Sequence, residues 1–250
     1  MEAAILAATI LALACVERTP ALRRRALPLL RAHFGTDLFY LATGVIGLGL
    51  ALRSLAAAYA GELSFPTGAL GFALTLVLYD LGQWTAHALL HRYEPLWRLH
   101  KVHHSSRALD WLATFRAHPL EHALRHALSP VLLLLAGVPV PLVGVAGAVH
   151  GAWATFVHAN LRELPRWVEG LLVTPRLHRL HHVATTGARN LGTFFTWWDW
   201  AAGRLTTAGA DDDIGLGVIG EIESYPQRVP AQFVEPFRSG GARGVAIAAS

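Results

Sequence analysis

The stretch SPVLLLLAGVPVPLVGVAGAVHGAWATFVHAN, residues 129–160, is almost entirely apolar and yet is interrupted by Pro139 and Pro141. Proline breaks or kinks a helix and favours a turn. Each half is short for a helix that crosses a bilayer alone, which needs about 20 residues. We therefore predict a helical hairpin that enters the membrane near Ala127 and leaves it at His158.

Three earlier apolar segments are predicted to be membrane helices, over residues 1–16, 38–60 and 68–90. The first is short for a span. The arginines that follow it predict a cytoplasmic loop over residues 17–37 by the positive-inside rule. The polar, histidine-rich segments 92–127 and 159–209 then fall on the same side of the membrane. These features predict an all-α fold, a polytopic membrane helical bundle with a histidine-rich helical cap on the cytoplasmic side.

The domain organisation follows from the same pattern. A chain of 250 residues is long enough for one compact helical membrane unit. We predict a single membrane-embedded domain over residues 1–209. Residues 210–250 have little periodicity and no chemical motif, and we predict that they form an irregular cytoplasmic tail.

The composition favours a membrane protein over a nucleic-acid-binding protein. Hydrophobic residues make up 53% of the chain and charged residues 15%, against about a quarter charged in ordinary soluble domains. The formal net charge is +4, but many of the basic residues crowd between two apolar segments, at Arg18, Arg23, Arg24, Arg25 and Arg31. Cys15 is the only cysteine of the sequence, which excludes an intrachain disulfide and a cysteine-ligated iron–sulfur cluster.

Histidine is the unusual residue of this sequence, with 14 copies, of which all but His33 fall between His87 and His182. Two pairs have i, i+4 spacing and two triplets have i, i+3, i+4 spacing, which gathers imidazoles on one side of a helix. Neutral imidazole is the commonest protein metal ligand and suits zinc, copper, iron and nickel. The candidate ligands are too many for one ion and suit two neighbouring ions. They are His87, His91, His100, His103, His104, His118, His158, His178, His181 and His182.

Several histidines have an ordinary explanation beside the metal hypothesis. A single i, i+4 pair such as His87 and His91 is more often a surface feature than a metal site, and the two triplets are what favour the metal. His118, in HPLEH, is equally well explained as the start of a capped helix with Pro119 in its first turn. We predict structural roles for His122, His126 and His150 and a solvated position for His33.

Polar side chains near the histidines are candidates to orient them. A metal-bound imidazole usually donates its second N–H to a carboxylate or a carbonyl, which fixes the ring. Asp80 lies on the same predicted helical face as His87, in an apolar segment where a charge is costly. We therefore predict that Asp80 orients His87. Glu121, Asn160 and Asp199 are the other predicted supporting residues, with a helix cap or a salt bridge as the alternative for Asp199.

Four sequence blocks carry a resemblance to a known family. They are YDLGQWTAHALLHRYEPLWRLHKVHHSS (79–106), FRAHPLEH (115–122), FVHANL (156–161) and TPRLHRLHHVATTGARNLGTFFTWWDW (174–200). Their content and order resemble the fatty acid hydroxylase superfamily, the sterol desaturase-like membrane oxidases, over about residues 79–203. The chain departs from the family pattern at Leu191, where the family usually has tyrosine or phenylalanine. It also departs at Ala202, Gly203 and Arg204, where Phe-Gly-Thr is usual.

The resemblance implies a histidine-bound pair of metal ions, normally iron, that activates O2 and hydroxylates or desaturates a C–H bond of a lipid. Zinc is the alternative metal. The catalytic set is then His87, His91, His100, His103, His104, His178, His181 and His182.

O2 activation needs electrons, and the sequence has no glycine-rich dinucleotide motif, flavin motif or cysteine cluster to supply them. We therefore predict an external electron donor, a reductase, a ferredoxin or a cytochrome, that docks on the cytoplasmic face. The other predicted partners are a lipid substrate and the membrane, and no nucleic acid is expected.

Two other functions use histidines in membrane proteins. A metal or proton transporter places its ligands near the bilayer midplane on broken helices, whereas these histidines gather at predicted helix ends and in polar segments. A b-type haem protein needs two histidines and leaves most of the cluster unexplained. The metal-dependent lipid oxidase is our prediction, and the transporter is its alternative.

Overall fold

The computed structural model describes residues 2–28, 30–44, 65–207 and 215–238. Regular secondary structure in these ranges is helical, and three isolated β-bridges join loop segments. The helices are α1 (Glu2–Val16), α2 (34–44), α3 (Gly68–Arg92), α4 (Glu94–His104), α5 (Pro119–Leu135), α6 (Val140–His158), α7 (Pro175–His182), α8 (Trp197–Ala201) and α9 (Val229–Val234). Short 3-10 turns cover Trp111–Phe115, Arg166–Gly170 and Glu235–Phe237. The all-α prediction is confirmed.

The apolar stretch forms two helices, α5 and α6, with a break between Leu135 and Val140. Gly137 has φ +81° in this turn, a conformation that favours glycine. Pro139 is the N-cap of α6, where its missing N–H costs nothing. Leu133 and Val143, one from each helix, pack in a common apolar core with α3. The hairpin is therefore present, although α5 begins earlier than the apolar stretch.

Helix α3 packs closely against both helices of this hairpin. Gly82 allows the close approach to α5, because a Cβ at that position would lie 2.5 Å from Oγ of Ser129. Gln83 donates to the same hydroxyl at 3.0 Å, and the hydroxyl donates to the carbonyl of Tyr79. Tyr93 separates α3 from α4, so that the histidines at the end of α3 lie beside those of α4.

The N-terminal segments pack against the same core. Helix α1 lies on α6, and Glu17 beyond its end accepts hydrogen bonds from the backbone N–H groups of Trp111 and Asn160. Arg31, which belongs to the predicted basic loop over residues 17–37, is buried beside Asp37 and Asp110. The two carboxylates pair with its guanidinium inside the fold, which charge counting along the sequence does not show.

Membrane character is carried most clearly by α6, the one helix of the described ranges that is long and apolar enough to cross a bilayer. Helix α1 is apolar but shorter. Helix α3 is long enough to cross a bilayer, but its second half contains the polar residues Asp80 and Gln83 and two histidines. The predicted span over residues 38–60 lies mostly outside the described residues. The multi-pass arrangement therefore stays a prediction.

The segment 215–238, which we predicted to be part of an irregular tail, packs against the domain. Lys101 of α4 donates to Glu221 at 2.6 Å, and Leu216 forms a β-bridge with Val183 just after α7. Gln232 is fully buried and donates to Ser105. The segment has little periodicity because it is built mainly of turns, but it covers one side of α4.

Candidate metal centre

Nine of the histidines form two groups in which the ligand nitrogens converge, all within 4.8 Å of one another in each group. The five-histidine group consists of His87, His91, His100, His104 and His181. The four-histidine group consists of His103, His158, His178 and His182. Every one of these side chains is buried. The structure thus brings together nine of the ten predicted ligands.

The two triplets are interleaved between the groups. On α4, His100 and His104 share one face and enter the five-histidine group, whereas His103 enters the four-histidine group. On α7 the assignment is reversed: His178 and His182 enter the four-histidine group, and His181 crosses to the other. Each triplet therefore gives a pair of ligands to one group and a single ligand to its neighbour, which ties the two helices together.

The two groups lie directly beside each other. The ring centroids of His104 and His182, which belong to different groups, are 4.6 Å apart. Those of His100 and His103 are 5.1 Å apart, and the two rings are stacked. Two ions held in these groups would therefore be neighbours, as the sequence predicted for a dinuclear centre.

Backbone carbonyls fix the protonation of several rings. Nδ1 of His103 lies 3.0 Å from the carbonyl of Arg116, and Nδ1 of His158 lies 2.8 Å from that of Ala154. A carbonyl only accepts, so Nδ1 carries the proton in both rings and Nε2 presents a lone pair. These two Nε2 atoms face each other at 3.2 Å. Facing lone pairs repel, and a cation between them removes the repulsion.

Other inward-facing nitrogens of the cluster have no hydrogen-bond partner. Nε2 of His91, His104 and His181 is buried and unpaired in the five-histidine group. A buried polar atom without a partner costs about 1–3 kcal/mol. His181 has its Nδ1 at 2.9 Å from the carbonyl of Arg189, so its free Nε2 is again a lone pair. The donor set therefore fits transition-metal ions that accept imidazole nitrogen.

Burial keeps these rings in the form that binds a metal. It lowers the pKa of His181 to about 4, although the bond to the Arg189 carbonyl opposes the change. Burial also lowers the pKa values of His100 and His104 well below the usual value, and neighbouring imidazoles add to the effect. The rings are therefore neutral at pH 7, and no proton needs to leave them before a metal binds.

Glu121 is positioned as predicted, next to a candidate ligand. Its Oε1 lies 2.7 Å from Nδ1 of His100, and both side chains are fully buried. Burial raises the pKa of Glu121 to about 8, while Arg125, 3.7 Å from the same oxygen, opposes the rise. A cation in the five-histidine group would favour the ionised carboxylate, which holds the His100 ring with Nδ1 protonated and Nε2 facing inward.

Replacing Glu121 with leucine is expected to weaken metal binding by about 10- to 100-fold, the usual cost of losing an orienting partner. The Glu121→Gln variant keeps an oxygen that accepts from His100 and should retain most of the affinity. Competition with a chromophoric chelator measures both values. Equal affinities of the leucine variant and the unmodified protein would show that His100 needs no carboxylate.

Asp80 does not orient His87, so that prediction is wrong. Its oxygens accept hydrogen bonds from the His150 ring at 2.9 Å and from the segment 194–198. Nδ1 of His87 instead lies 2.7 Å from the carbonyl of Leu191. Asp80 faces away from the ligands because its position on α3 points toward α6 and the loop before α8.

Asp199 supports the ligands through the backbone. Its carboxylate accepts from the N–H groups of Leu191 at 3.0 Å and Gly192 at 2.6 Å, and from the Trp84 ring. These bonds hold the loop segment whose Leu191 carbonyl contacts His87. The salt-bridge and helix-cap alternatives are therefore not needed to explain Asp199.

Asn160 holds the N-terminal segment and not a ring. Its side-chain amide bonds the backbone N–H and carbonyl of Arg25, at 3.2 and 2.8 Å. These contacts do not involve a histidine ring, so they do not support the prediction that Asn160 orients a ligand.

His118 lies outside both groups, so the geometry does not support its prediction as a ligand. Nδ1 of His118 accepts the backbone N–H of Leu120 at 3.2 Å and caps α5, with Pro119 in the first turn. This is the capped-helix alternative that HPLEH also allowed. His122 and His126, expected to be structural, bond each other at 3.1 Å on α5.

Sequence reasoning missed the carbonyls that orient the ligands. Those of Leu191, Arg116 and Arg189 each contact a ring nitrogen of one of the nine histidines. Every residue has a carbonyl, so nothing in the sequence distinguishes these three. Only the fold brings them to the rings.

Three known proteins that resemble this chain are a lipid hydroxylase and two sterol desaturases. Ornithine lipid hydroxylase OlsE of Rhizobium tropici is 30% identical over 174 residues, which cover 69% of this chain and 52% of that protein. Delta(7)-sterol 5(6)-desaturase erg3C of Aspergillus fumigatus is 27% identical over 50% of this chain and 45% of its own. Delta(7)-sterol 5(6)-desaturase ERG3B of Gibberella zeae is 27% identical over 54% of this chain and 42% of its own. The chain thus spans about half the length of these relatives.

No solved structure matches the chain. The model of the fatty acid hydroxylase family matches residues 72–204, which is more than half of the chain and includes all nine histidines of the two groups. The sequence resemblance is therefore confirmed, and the chain belongs to the fatty acid hydroxylase family.

Proposed function

We propose that the protein is a membrane-bound oxidase that uses O2 and a pair of iron ions to hydroxylate or desaturate a lipid. The observation that carries the proposal is the pair of adjacent histidine groups, with Nε2 lone pairs facing inward. The family and its lipid-modifying relatives support an oxidative reaction.

Iron is proposed because attack on an unactivated C–H bond requires a metal that changes its oxidation state, which zinc does not do. Bound in the two groups, a pair of iron ions would supply the redox chemistry that activates O2. The protein residues hold and shield that pair. Nine neutral imidazoles would serve as ligands, Glu121 and four backbone carbonyls fix ring orientation, and burial of the cluster excludes bulk water.

The surface of α3 supports access from the bilayer. Leu70, Leu74 and Leu78 are spaced by four residues and are 41–64% exposed, so they form an apolar stripe on one face of the helix. Leu132 and Leu135 of α5 are also exposed. We propose that these faces contact lipid, that the chain crosses the membrane several times, and that the histidine cluster lies at the cytoplasmic end of the bundle.

The substrate is proposed to be a polar lipid with an acyl chain, and ornithine lipid is the first candidate because a hydroxylase of that lipid is 30% identical. Hydroxylation consumes O2, an electron pair and protons, and it yields an alcohol and water. Desaturation uses the same reductant and yields a double bond and water. The electrons are proposed to come from an external donor, as the sequence predicted.

The proposed function is tested with purified protein in lipid nanodiscs, loaded with ferrous iron and supplied with ornithine lipid, a chemical reductant and oxygen-18 gas. Mass spectrometry of the extracted lipid should show incorporation of one oxygen-18 atom for hydroxylation or loss of two hydrogens for desaturation. Protein loaded with zinc should leave the lipid unchanged. Unchanged lipid in the iron-loaded sample, combined with metal uptake into protein-containing vesicles, would favour the transporter instead.

A further inference from the structure

Trp97 is the aromatic residue of α4 that contacts three ligands of the five-histidine group at once. Its ring centroid lies 5.0 Å from that of His91, 5.3 Å from that of His104 and 6.0 Å from that of His100. None of the proposed binding or orienting steps uses this ring.

Trp97 also lies beside the most exposed histidine of the two groups. His91, beside it, is 7% exposed, and the other eight histidines of the two groups are 4% exposed or less. Trp97 is half-buried, and Tyr93, at the start of the same helix, is 53% exposed. The Trp97 ring is therefore partly exposed and in direct contact with the most exposed ligand of the five-histidine group.

The residues around this ring give the surface a positive character. We call the surface formed by Arg92, Tyr93, Trp97 and Arg98, where α3 meets α4, the Trp97 corner. Arg92 is exposed and lies over the Tyr93 ring, with its guanidinium carbon 5.7 Å from the centroid. Arg98 is balanced by Glu94 at 2.9 Å, so Arg92 leaves the corner with a net positive charge.

We propose that the Trp97 corner is the docking surface for an acidic one-electron carrier of the [2Fe–2S] ferredoxin class, and that electrons enter the five-histidine group through the Trp97 ring. The inference rests on the proposed function. Each transfer takes one electron from the reduced cluster of the carrier, which is oxidised, and gives it to the metal in the five-histidine group, which is reduced. No bond breaks, no proton moves, and two transfers serve one turnover.

Distance favours this route, because the partly exposed Trp97 ring directly contacts ligands of the five-histidine group. Electron transfer between buried centres weakens steeply as the gap between them grows, so a short path from the surface to a ligand favours reduction. Positive charge at that point attracts an acidic carrier and speeds its association. A lipid tail entering at the same corner is the competing occupant, and it would require Trp97 for substrate binding and not for reduction.

The first test compares Trp97→Leu with Trp167→Leu, a matched control whose ring is 81% exposed and lies on the Arg166–Gly170 turn. Iron-loaded protein is mixed without oxygen with a reduced plant-type [2Fe–2S] ferredoxin, and oxidation of the ferredoxin is followed by stopped-flow absorbance. We expect the rate per bound iron to fall at least several-fold in Trp97→Leu and to stay unchanged in Trp167→Leu. Trp97→Phe, which keeps a ring against the imidazoles, should recover most of the rate.

Reduction by dithionite, a small molecule that needs no docking surface, serves as the reference in each variant. The ratio of the ferredoxin rate to the dithionite rate should fall in Trp97→Leu and hold in the control. An unchanged ratio, or a loss of ornithine lipid binding in place of a slower reduction, would overturn the proposal. The proposed function is judged separately, because the unmodified protein should still oxidise lipid when dithionite supplies the electrons.

The second test examines the charge of the corner. Arg92→Glu is expected to weaken ferredoxin binding about tenfold at low ionic strength, and the difference should shrink in high salt. Arg162→Glu carries the same charge change at an exposed position on another segment and should bind as the unmodified protein does. Equal weakening in both variants would mean that overall charge, and not the Trp97 corner, attracts the carrier.

Discussion

The His181→Ala variant is expected to bind about one metal ion per chain where the unmodified protein binds about two, and to lose lipid oxidation completely. His181 lies on α7 between two ligands of the four-histidine group, but its own Nε2 converges with nitrogens from α3 and α4. Removing it leaves the four-histidine group intact. The variant should therefore lose only the ion of the five-histidine group, even though α7, the helix that carries His181, supplies two ligands to the other group.

The reciprocal change, His103→Ala, should remove the other ion. His103 lies on α4 but completes the four-histidine group, and its ring faces His158 with the two Nε2 atoms 3.2 Å apart. The two single variants should thus each keep about one ion, and the double variant should keep none. A His103→Ala/His178→Ala double variant separates this arrangement from one site per helix. Both residues belong to the four-histidine group, so we expect it to keep about one ion, whereas helix-based sites on α4 and α7 would lose both.

The matched control is His118→Asn. Asparagine is a good N-cap, so this variant should keep α5 and retain both ions. Metal is measured by mass spectrometry of the purified protein, and product is measured from oxygen-18 incorporation. Loss of metal in His118→Asn would indicate that His118 is a ligand, which would contradict its position outside both histidine groups.

The Arg116→Met variant is expected to lower the free energy of unfolding by about 3 kcal/mol, the lower part of the range for breaking a buried ion pair. Arg116 is 1% exposed and pairs with Asp37, which is fully buried. Arg31 remains 2.6 Å from Asp37 in the variant and limits the loss. The uncompensated charge in the interior is the physical cause of the destabilisation.

Arg107→Met provides the control for this prediction. Arg107 also pairs with a carboxylate, Glu223 at 2.8 Å, but both side chains are substantially exposed. An exposed pair contributes about 0–1 kcal/mol, so this variant should unfold almost as the unmodified protein does. Denaturant titration in detergent micelles, followed by helical circular dichroism, gives both free energies. Similar values for the two variants would contradict the assigned importance of the buried pair.

Metal content is a second readout for Arg116→Met. The carbonyl of Arg116 contacts Nδ1 of His103, and substitution of the side chain leaves that carbonyl in place. We therefore expect the folded variant to bind both ions, with the loss of stability appearing as a shift of the unfolding transition alone. This separates the role of the side chain from that of the backbone.

The predictions for individual helices succeeded where local spacing determines direction. The i, i+4 and i, i+3, i+4 spacings place imidazoles on defined sides of α3, α4 and α7, and these rings do converge. The helix break at Pro139 could also be predicted from local sequence, because a proline restricts its own backbone and that of its neighbour. The same local reasoning failed for Asp80, since sharing a helix face with His87 does not decide what packs against that face.

Residue types and local spacings were enough to predict the helical class of the chain, the histidines as candidate ligands, and the fatty acid hydroxylase family. These features depend on residue type and on spacings within one turn or one helix. Three further features became known from the packing of the helices: the two triplets exchange a ligand, carbonyls orient most of the anchored rings, and the ring of Trp97 lies against the five-histidine group. The helical period fixes directions around one axis, whereas the distance between two helices depends on how all of their side chains pack.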